Sequence, residues 1–154
     1  TFLDKEAFDS LEFANKNEPE SRAAHTVLAQ EMTRLVHGTE GLEAAERITT
    51  ALFQNDLPDL GESDLQQLAL DGMETTRLQE TALMDALVDC GLAVTPKGGI
   101  TRGQARKLIE SNSVSINGIK ETDIYRQLNR EQALFGKYFV IQKGKKNHHL
   151  VVLD

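Results

Sequence analysis

The segment that most constrains the fold is TRGQARKLIESNSVSING, residues 101–118, in which the spacing of apolar residues changes from helical to extended. Thr101 followed three residues later by Gln104 is typical of a capped helix start. The apolar positions that share one face of this helix are Ala105, Leu108 and Ile109. Residues 113–116 then alternate serine with valine and isoleucine, and Asn-Gly is a preferred hairpin turn. The segment therefore predicts a helix followed by a strand hairpin.

Positive charge concentrates on this helix and on a later loop. Arg102 and Arg106 are four residues apart, which places both guanidinium groups on one side of the helix, at a spacing suited to adjacent phosphates. The apolar runs 137–142 and 149–153 predict two strands, and the connection KGKKNH between them carries three lysines. We predict one phosphate-binding surface formed by Arg102, Arg106, Lys107, Lys143, Lys145 and Lys146. The alternative is a lysine-rich loop that only keeps the surface soluble.

The net charge of -7 conceals two halves of opposite sign. Residues 1–95 contain six Lys and Arg against 19 Asp and Glu, whereas residues 96–154 contain 11 Lys and Arg against five Asp and Glu. A basic half beside an acidic half indicates that contact with nucleic acid is confined to the C-terminal part. Compositional drift between two folded units is the alternative explanation.

The N-terminal half has helical periodicity. Residues 4–16 predict a short amphipathic helix with Phe8 and Leu11 buried, and residues 21–37 predict a second that ends at Gly38. A third helix with apolar residues from Leu42 to Phe53 should pack antiparallel to the second. Weaker periodicity at 54–77, with proline, glycine and aspartate, predicts a connection, within which Ser63 and Gln66 have capping-box spacing for a short helix.

Length and composition limit the number of domains in the chain and the cellular compartment in which we expect it. The 154 residues, 40% of them hydrophobic, suffice for one ordinary domain or two small ones. A single cysteine, Cys90, excludes an internal disulfide, and there is no long apolar run or leader, so we expect a cytoplasmic protein without a membrane segment. Because the chain begins at Thr1 rather than Met, we expect a piece of a longer polypeptide.

The segment 101–118 resembles the signature of the S-four-type RNA-binding domain, in which two helices pack on a small sheet and the second helix faces RNA. The residues that carry the likeness are Arg102, Ala105, Leu108, Ile109, Val114, Ile116, Asn117 and Gly118. Thr101 stands where that family often has serine, and Asn112-Ser113 stands where a glycine is common. The resemblance implies an RNA-binding unit at 80–154.

Two further segments, one of them in the N-terminal half, indicate which family of RNA-binding proteins the chain resembles. VLAQEMTRLVHGTEGLEAAERIT (27–49) and LFGKYFVIQKGKKNHHLVVL (134–153) resemble the C-terminal region of bacterial tyrosyl-tRNA synthetases. The resemblance implies an α+β fold in three parts: a partial anticodon-side helical domain (1–56), a connection with a short helix (57–79), and an S-four-type domain of two helices on a small, mostly antiparallel sheet (80–154). The partner that it implies is tyrosine-specific tRNA, contacted on the anticodon side and the long variable arm.

We identify no catalytic, cofactor-binding or metal-binding residues in this segment. The two signature segments of class I synthetases, His-Ile-Gly-His-like and Lys-Met-Ser-Lys-Ser-like, do not occur here, and KGGITRG lacks the strand and spacing of a phosphate loop. The resemblance therefore implies that ATP and tyrosine bind in a catalytic domain elsewhere in the parent enzyme, a tyrosine-tRNA ligase. That domain would also form the homodimer, with this segment alone a monomer. His148-His149 is a weak metal motif, because adjacent residues on a strand point to opposite faces.

Two functions of different classes remain at this point. The first is the tRNA-binding C-terminal region of a tyrosyl-tRNA synthetase. The second is a non-catalytic adaptor whose basic C-terminal domain binds an acidic protein surface. The dependence of binding on salt, measured with tRNA and with a protein partner, separates the two functions.

Overall fold

The structure, a computed structural model, describes residues 5–17, 19, 22–54 and 57–154. Its α-helices are α1 (Lys5–Asn17), α2 (Ala23–Gln54), α3 (Glu62–Leu70), α4 (Leu83–Asp89) and α5 (Arg102–Glu110). Its strands are β1 (Thr75–Leu78), β2 (Thr81–Ala82), β3 (Val114–Ile116), β4 (Ile119–Lys120), β5 (Gln127–Leu128), β6 (Tyr138–Lys143) and β7 (Asn147–Leu153). This order of elements confirms the predicted α+β class, with helices first and the sheet C-terminal.

The chain divides into two compact units, residues 1–47 and 48–154. The predicted division at 56 and 79 stays a prediction, and 55 and 56 lie outside the described residues. In the structure the division falls within α2. The C-terminal unit contains residues 48–54, which the sequence assigned to the helical domain, and residues 57–79, which it assigned to a connection.

In the first unit, α2 is broken at Gly38, whose φ of 73° and ψ of -176° are not helical. Gln30, before the break, donates a hydrogen bond from Nε2 to Oε1 of Glu46, after it, at 2.7 Å. A continuous helix would hold residues so far apart in sequence about 24 Å apart, so the chain reverses at the glycine. This reversal agrees with the predicted antiparallel pair.

The predicted burial of Phe8 is wrong, since its side chain is 57% exposed, and Leu11 is half-buried. Both residues line a groove of about 540 Å³ between α1 and the first part of α2. The groove is open, so the apolar stripe of α1 is only partly covered by this unit.

In the second unit, a five-stranded sheet has the order β1-β7-β6-β3-β4. β1 runs parallel to β7, and the other neighbours are antiparallel. A separate two-stranded sheet pairs β2 with β5. The turn between β3 and β4 is Asn117-Gly118, as predicted, and its φ values of 49° and 84° are the positive values that a type I′ hairpin turn requires.

A layer of other residues covers each face of the sheet. Alternate side chains of β6 and β7 point to opposite faces, so each strand contacts both layers. On one face, Phe139, Ile141, Val151 and Leu153 pack with buried residues of α4 and α5. On the other face, the residues that pack together are Tyr138, Val140, Leu150, Val152, Ile48, Ala51, Leu57, Leu60, Leu65 and Leu68. Residues 48–54 and 57–70 thus form a second layer of the domain rather than a linker.

The start of α3 differs from its prediction. Gly61, and not Ser63, is the N-cap residue, and Asp64 Oδ2 accepts a hydrogen bond from the Gly61 backbone N–H at 3.0 Å. An aspartate close to the helix start also stabilises the positive end of the helix dipole. The helix itself is confirmed, and it begins two residues earlier than the capping pattern indicated.

The burial of Leu65 tests the second layer. Leu65 is fully buried against the sheet, whereas Leu70 in the same helix is 80% exposed. We expect Leu65→Ala to lower the free energy of unfolding by about 2–5 kcal/mol, through lost burial and the cavity left behind. The matched control Leu70→Ala should change it by about 0.5 kcal/mol or less. Urea unfolding followed by circular dichroism measures both, and equal effects of the two variants would contradict the packing.

The two histidines of β7 predict how stability depends on pH. Burial lowers the pKa of His148 and of His149 below the ordinary 6.5, and for His149 the nearby Glu74 partly offsets this. The unfolded chain therefore binds protons more readily than the folded chain as the pH falls below 6.5. We expect the free energy of unfolding to level off about one pH unit above 6.5, and therefore to be lower at pH about 5.5 than at pH about 7.5.

The variant that isolates this effect is the double replacement His148→Gln, His149→Gln. Its unfolding free energy, measured by urea titration at both pH values, should change less between them than that of the parent. An identical pH dependence in parent and variant would show that other groups are responsible.

Candidate nucleic-acid interface

The helix α5 presents its cations outward, as predicted. Thr101 Oγ1 accepts a hydrogen bond from the backbone N–H of Gln104 at 3.1 Å, which caps the helix start. Ala105, Leu108 and Ile109 are buried against the sheet. Because these three positions fix which side of the helix faces the core, the side chains of Arg102, Arg106 and Lys107 are exposed.

The two arginines each hold a carboxylate. Arg102 Nε lies 3.0 Å from Asp85 Oδ1, and a terminal nitrogen of the same guanidinium donates to Asp85 Oδ2 at 3.2 Å, which links α5 to α4. Arg106 Nε donates to Glu110 Oε1 at 2.8 Å, one turn along α5, and this bond raises the pKa of Arg106. An anion that binds either arginine must therefore share it with a carboxylate.

The loop between β6 and β7 holds the predicted lysines. Gly144 has a φ of 66° and donates its backbone N–H to the Ser113 carbonyl at 2.9 Å, which ties the loop to the residue before β3. Lys143 donates from Nζ to the Leu92 carbonyl at 2.7 Å and is half-buried. Its ammonium group is thus engaged in holding the loop after α4.

Lys145 and Lys146 are exposed, and in the described part of the chain neither side chain forms an ion pair. They line a shallow groove of about 530 Å³ together with Lys143, Leu108 and Ser113. We call this set, Lys143, Lys145 and Lys146 with the groove beside them, the lysine groove. It combines three cations without a neutralising carboxylate among its lining residues.

The six predicted residues form two groups around α5. Arg102 and Arg106 lie on one flank of the helix, and Lys107 is rotated by about 100° from Arg106, toward the other flank. The lysine groove reaches α5 through Leu108 rather than through either arginine. The structure therefore describes two separate groups. One is the lysine groove, and the other, which we call the arginine row, consists of Arg102 and Arg106 with their carboxylate partners. Their joint role as one RNA surface stays a prediction.

Sequence reasoning missed three residues of this region. Glu110 follows Arg106 by four positions, so the pair could have been predicted from helical spacing. Asp85 lies 17 residues before Arg102, and only the packing of α4 on α5 brings them together. Tyr125, in the loop after β4, is 77% exposed and gave no periodic signal.

The described residues were also compared with the requirements of a metal site and of a reactive thiol. They contain no group of three or more His, Cys, Asp or Glu side chains placed to hold a metal ion. His149 is buried, and its Nε2 lies 2.8 Å from Thr76 Oγ1. Burial raises the pKa of the Cys90 thiol to about 11, so the thiol stays protonated and unreactive at neutral pH.

No helix in the described ranges combines the length and apolar character needed to cross a bilayer.

Comparison with known proteins identifies a family and individual proteins to which this chain is similar. The sequence profile of the family described as "Tyrosine--tRNA ligase SYY-like C-terminal domain" matches residues 64–151. Proteins named tyrosine--tRNA ligase from Salmonella arizonae, Klebsiella pneumoniae and Salmonella newport are each 47% identical to this chain over 152 residues. These matches cover 98% of the chain and 34% of each relative, so the chain spans about a third of their length.

The matches confirm the resemblance to the C-terminal region of bacterial tyrosyl-tRNA synthetases. The profile covers more than half of the chain, including α4, α5 and most of the sheet. The chain therefore belongs to the family of tyrosine--tRNA ligase SYY-like C-terminal domains.

Proposed function

We propose that this chain is the tRNA-binding C-terminal part of a tyrosine-tRNA ligase and that it binds tyrosine-specific tRNA. The observation that carries the proposal is the lysine groove, in which Lys145 and Lys146 are exposed and form no ion pair in the described part of the chain. Membership of the family supports tRNA as the anion that fills it. The contacts proposed for the whole region are the anticodon side and the long variable arm.

The chemistry of the groove suits a phosphate backbone. Ammonium groups on an exposed loop neutralise phosphates and release counterions, a contact that gives affinity without reading bases. The acidic half of the chain repels nucleic acid elsewhere, which favours binding through the basic half. The arginine row contributes less per side chain, because Asp85 and Glu110 already neutralise part of its charge.

The activity of the whole protein belongs to the same proposal. Attachment of tyrosine to tRNA with ATP would take place in a catalytic domain outside this sequence, in an enzyme that works in the cytoplasm. The homodimer would form through that domain, and this chain alone would be a monomer. The relatives' printed name supports the activity, and the 34% coverage of their length leaves room for such a domain.

The salt dependence of tRNA binding tests the lysine groove. We expect the double variant Lys145→Ala, Lys146→Ala to bind tyrosine tRNA several-fold more weakly. Its slope of log K against log salt should be shallower by about 0.7–0.9 for each phosphate that the variant no longer neutralises. The matched control is Lys137→Ala, since Lys137 is exposed and adjoins the opposite end of β6. Fluorescence anisotropy of labelled tRNA at several salt concentrations gives both quantities.

The arginine row supplies the comparison within the same experiment. The double variant Arg102→Ala, Arg106→Ala should weaken binding less than the lysine variant, because each arginine is already paired. A lysine variant that keeps the affinity and slope of the parent would refute the groove. Binding of an acidic protein in place of tRNA, with tRNA unable to compete, would support the adaptor function instead.

A further inference from the structure

Tyr125 presents an aromatic ring to solvent at a place where the fold does not require one. Its side chain is 77% exposed, whereas the other tyrosine, Tyr138, is buried against the sheet. Exposure of one large side chain is common by itself. Two features distinguish Tyr125 from an ordinary surface residue: the rigidity of its loop and the charges beside it.

The loop that carries Tyr125 is fixed by its own acidic side chains. Asp123 Oδ1 accepts the Tyr125 backbone N–H at 2.8 Å. Glu121 Oε1 accepts the backbone N–H groups of Thr122 and Asp123, both at 2.9 Å, and its other oxygen lies 3.4 Å from Arg126 Nε. A ring held on such a loop loses little further backbone entropy when it binds a planar partner.

Hydrogen bonds place this loop next to the arginine row. The carbonyl of Arg126 accepts the backbone N–H of Leu83, the first residue of α4, at 2.8 Å. Asp85, in the first turn of α4, is the carboxylate that Arg102 holds. Because Tyr125 directly precedes Arg126, it adjoins the start of α4. The pKa of Arg106 is raised mainly by Glu110, and the Tyr125 phenol adds a smaller contribution in the same direction.

An exposed aromatic ring beside guanidinium groups matches the chemistry of an unpaired nucleotide. Bases that are not paired stack on aromatic side chains, and the adjoining phosphate accepts hydrogen bonds from arginine. Arg106 pairs with Glu110 through Nε, and a guanidinium carries five N–H donors, so donors remain for a phosphate.

We propose that Tyr125 is a stacking platform for one unpaired base of the bound RNA, with Arg102 and Arg106 contacting the adjacent phosphate. The proposal rests on tRNA being the ligand of this chain and adds the kind of nucleotide that this flank of α5 recognises. The lysine groove, on the other flank, contacts backbone only. The two flanks of α5 thus bind different parts of the RNA. The lysine groove binds phosphates, and the flank with Tyr125 selects a base that is free to stack.

Binding of tyrosine tRNA by variants of the full chain tests the platform. We expect Tyr125→Ala to weaken binding about tenfold, the effect typical of removing one base–aromatic stack, and Tyr125→Phe to bind like the parent. The slope of log K against log salt should stay the same in both, because the ring carries no charge. Ile119→Ala is the matched control, since Ile119 is also exposed and lies in β4, before the same loop. Circular dichroism verifies folding of each variant.

Tyrosine fluorescence gives an independent readout. The chain has no tryptophan and two tyrosines, of which only Tyr125 is exposed. Stacking of a base should quench the emission of the parent, corrected for absorption by the RNA with free tyrosine amide, and Tyr125→Phe should abolish the quenching while it retains affinity. A fully paired RNA hairpin closed by a non-nucleotide linker should bind through the lysine groove without quenching.

The outcomes separate this proposal from the proposed function. If the parent binds tRNA and Tyr125→Ala binds it equally tightly, the platform is refuted and tRNA binding stands. Equal quenching by the paired hairpin would also refute it, because no unpaired base is present. A parent that binds neither RNA overturns the proposed function, and the platform with it.

Discussion

Burial of strands β6 and β7 on both faces is the constraint on which the domain depends. Tyr138 and Val140 point to one layer of helices, and Phe139 and Ile141 point to the other. A strand pair buried on both sides must pair along its whole length, because an unpaired backbone group away from water costs as much as a lost hydrogen bond. The register from Tyr138↔Val152 to Lys143↔Asn147 meets this requirement.

This register also determines where the lysines stand. Because a short turn joins β6 to β7, Lys143, Lys145 and Lys146 lie together at one end of these central strands. The bond from Gly144 to Ser113 then brings that turn to the residues that follow α5. A charged loop, which by itself would be mobile, is thereby positioned beside a helix by the most buried part of the protein.

Local patterns predicted the elements around α5 well. The Thr101 cap, the buried face of Ala105, Leu108 and Ile109 and the Asn-Gly turn all depend on residues close in sequence, and the structure confirms them. The second layer was not predicted. Leu57, Leu60, Leu65 and Leu68 are buried by a sheet that begins later in the chain, and their spacing is interrupted by proline and glycine. Only the tertiary partner shows that these residues belong to a core.

The candidate site shows the same limit. The sequence identified which residues carry positive charge, but not which of those charges are already neutralised. The pair of Arg102 with Asp85 spans 17 positions and depends on how α4 packs on α5. Tyr125 lies in a loop with no period to attract notice, and its importance follows from its exposure and its position beside the arginines.

A map of the residues that respond to tRNA would show directly whether the lysine groove is the binding surface. Backbone amide chemical shifts of the isotope-labelled chain, recorded during titration with tyrosine tRNA, report each residue separately. If tRNA binds through the lysine groove and Tyr125, the largest changes should fall on residues 143–147, on the exposed positions of α5 and on the loop around Tyr125. Changes confined to α1, α2 or α3, with residues 143–147 unaffected, would contradict it.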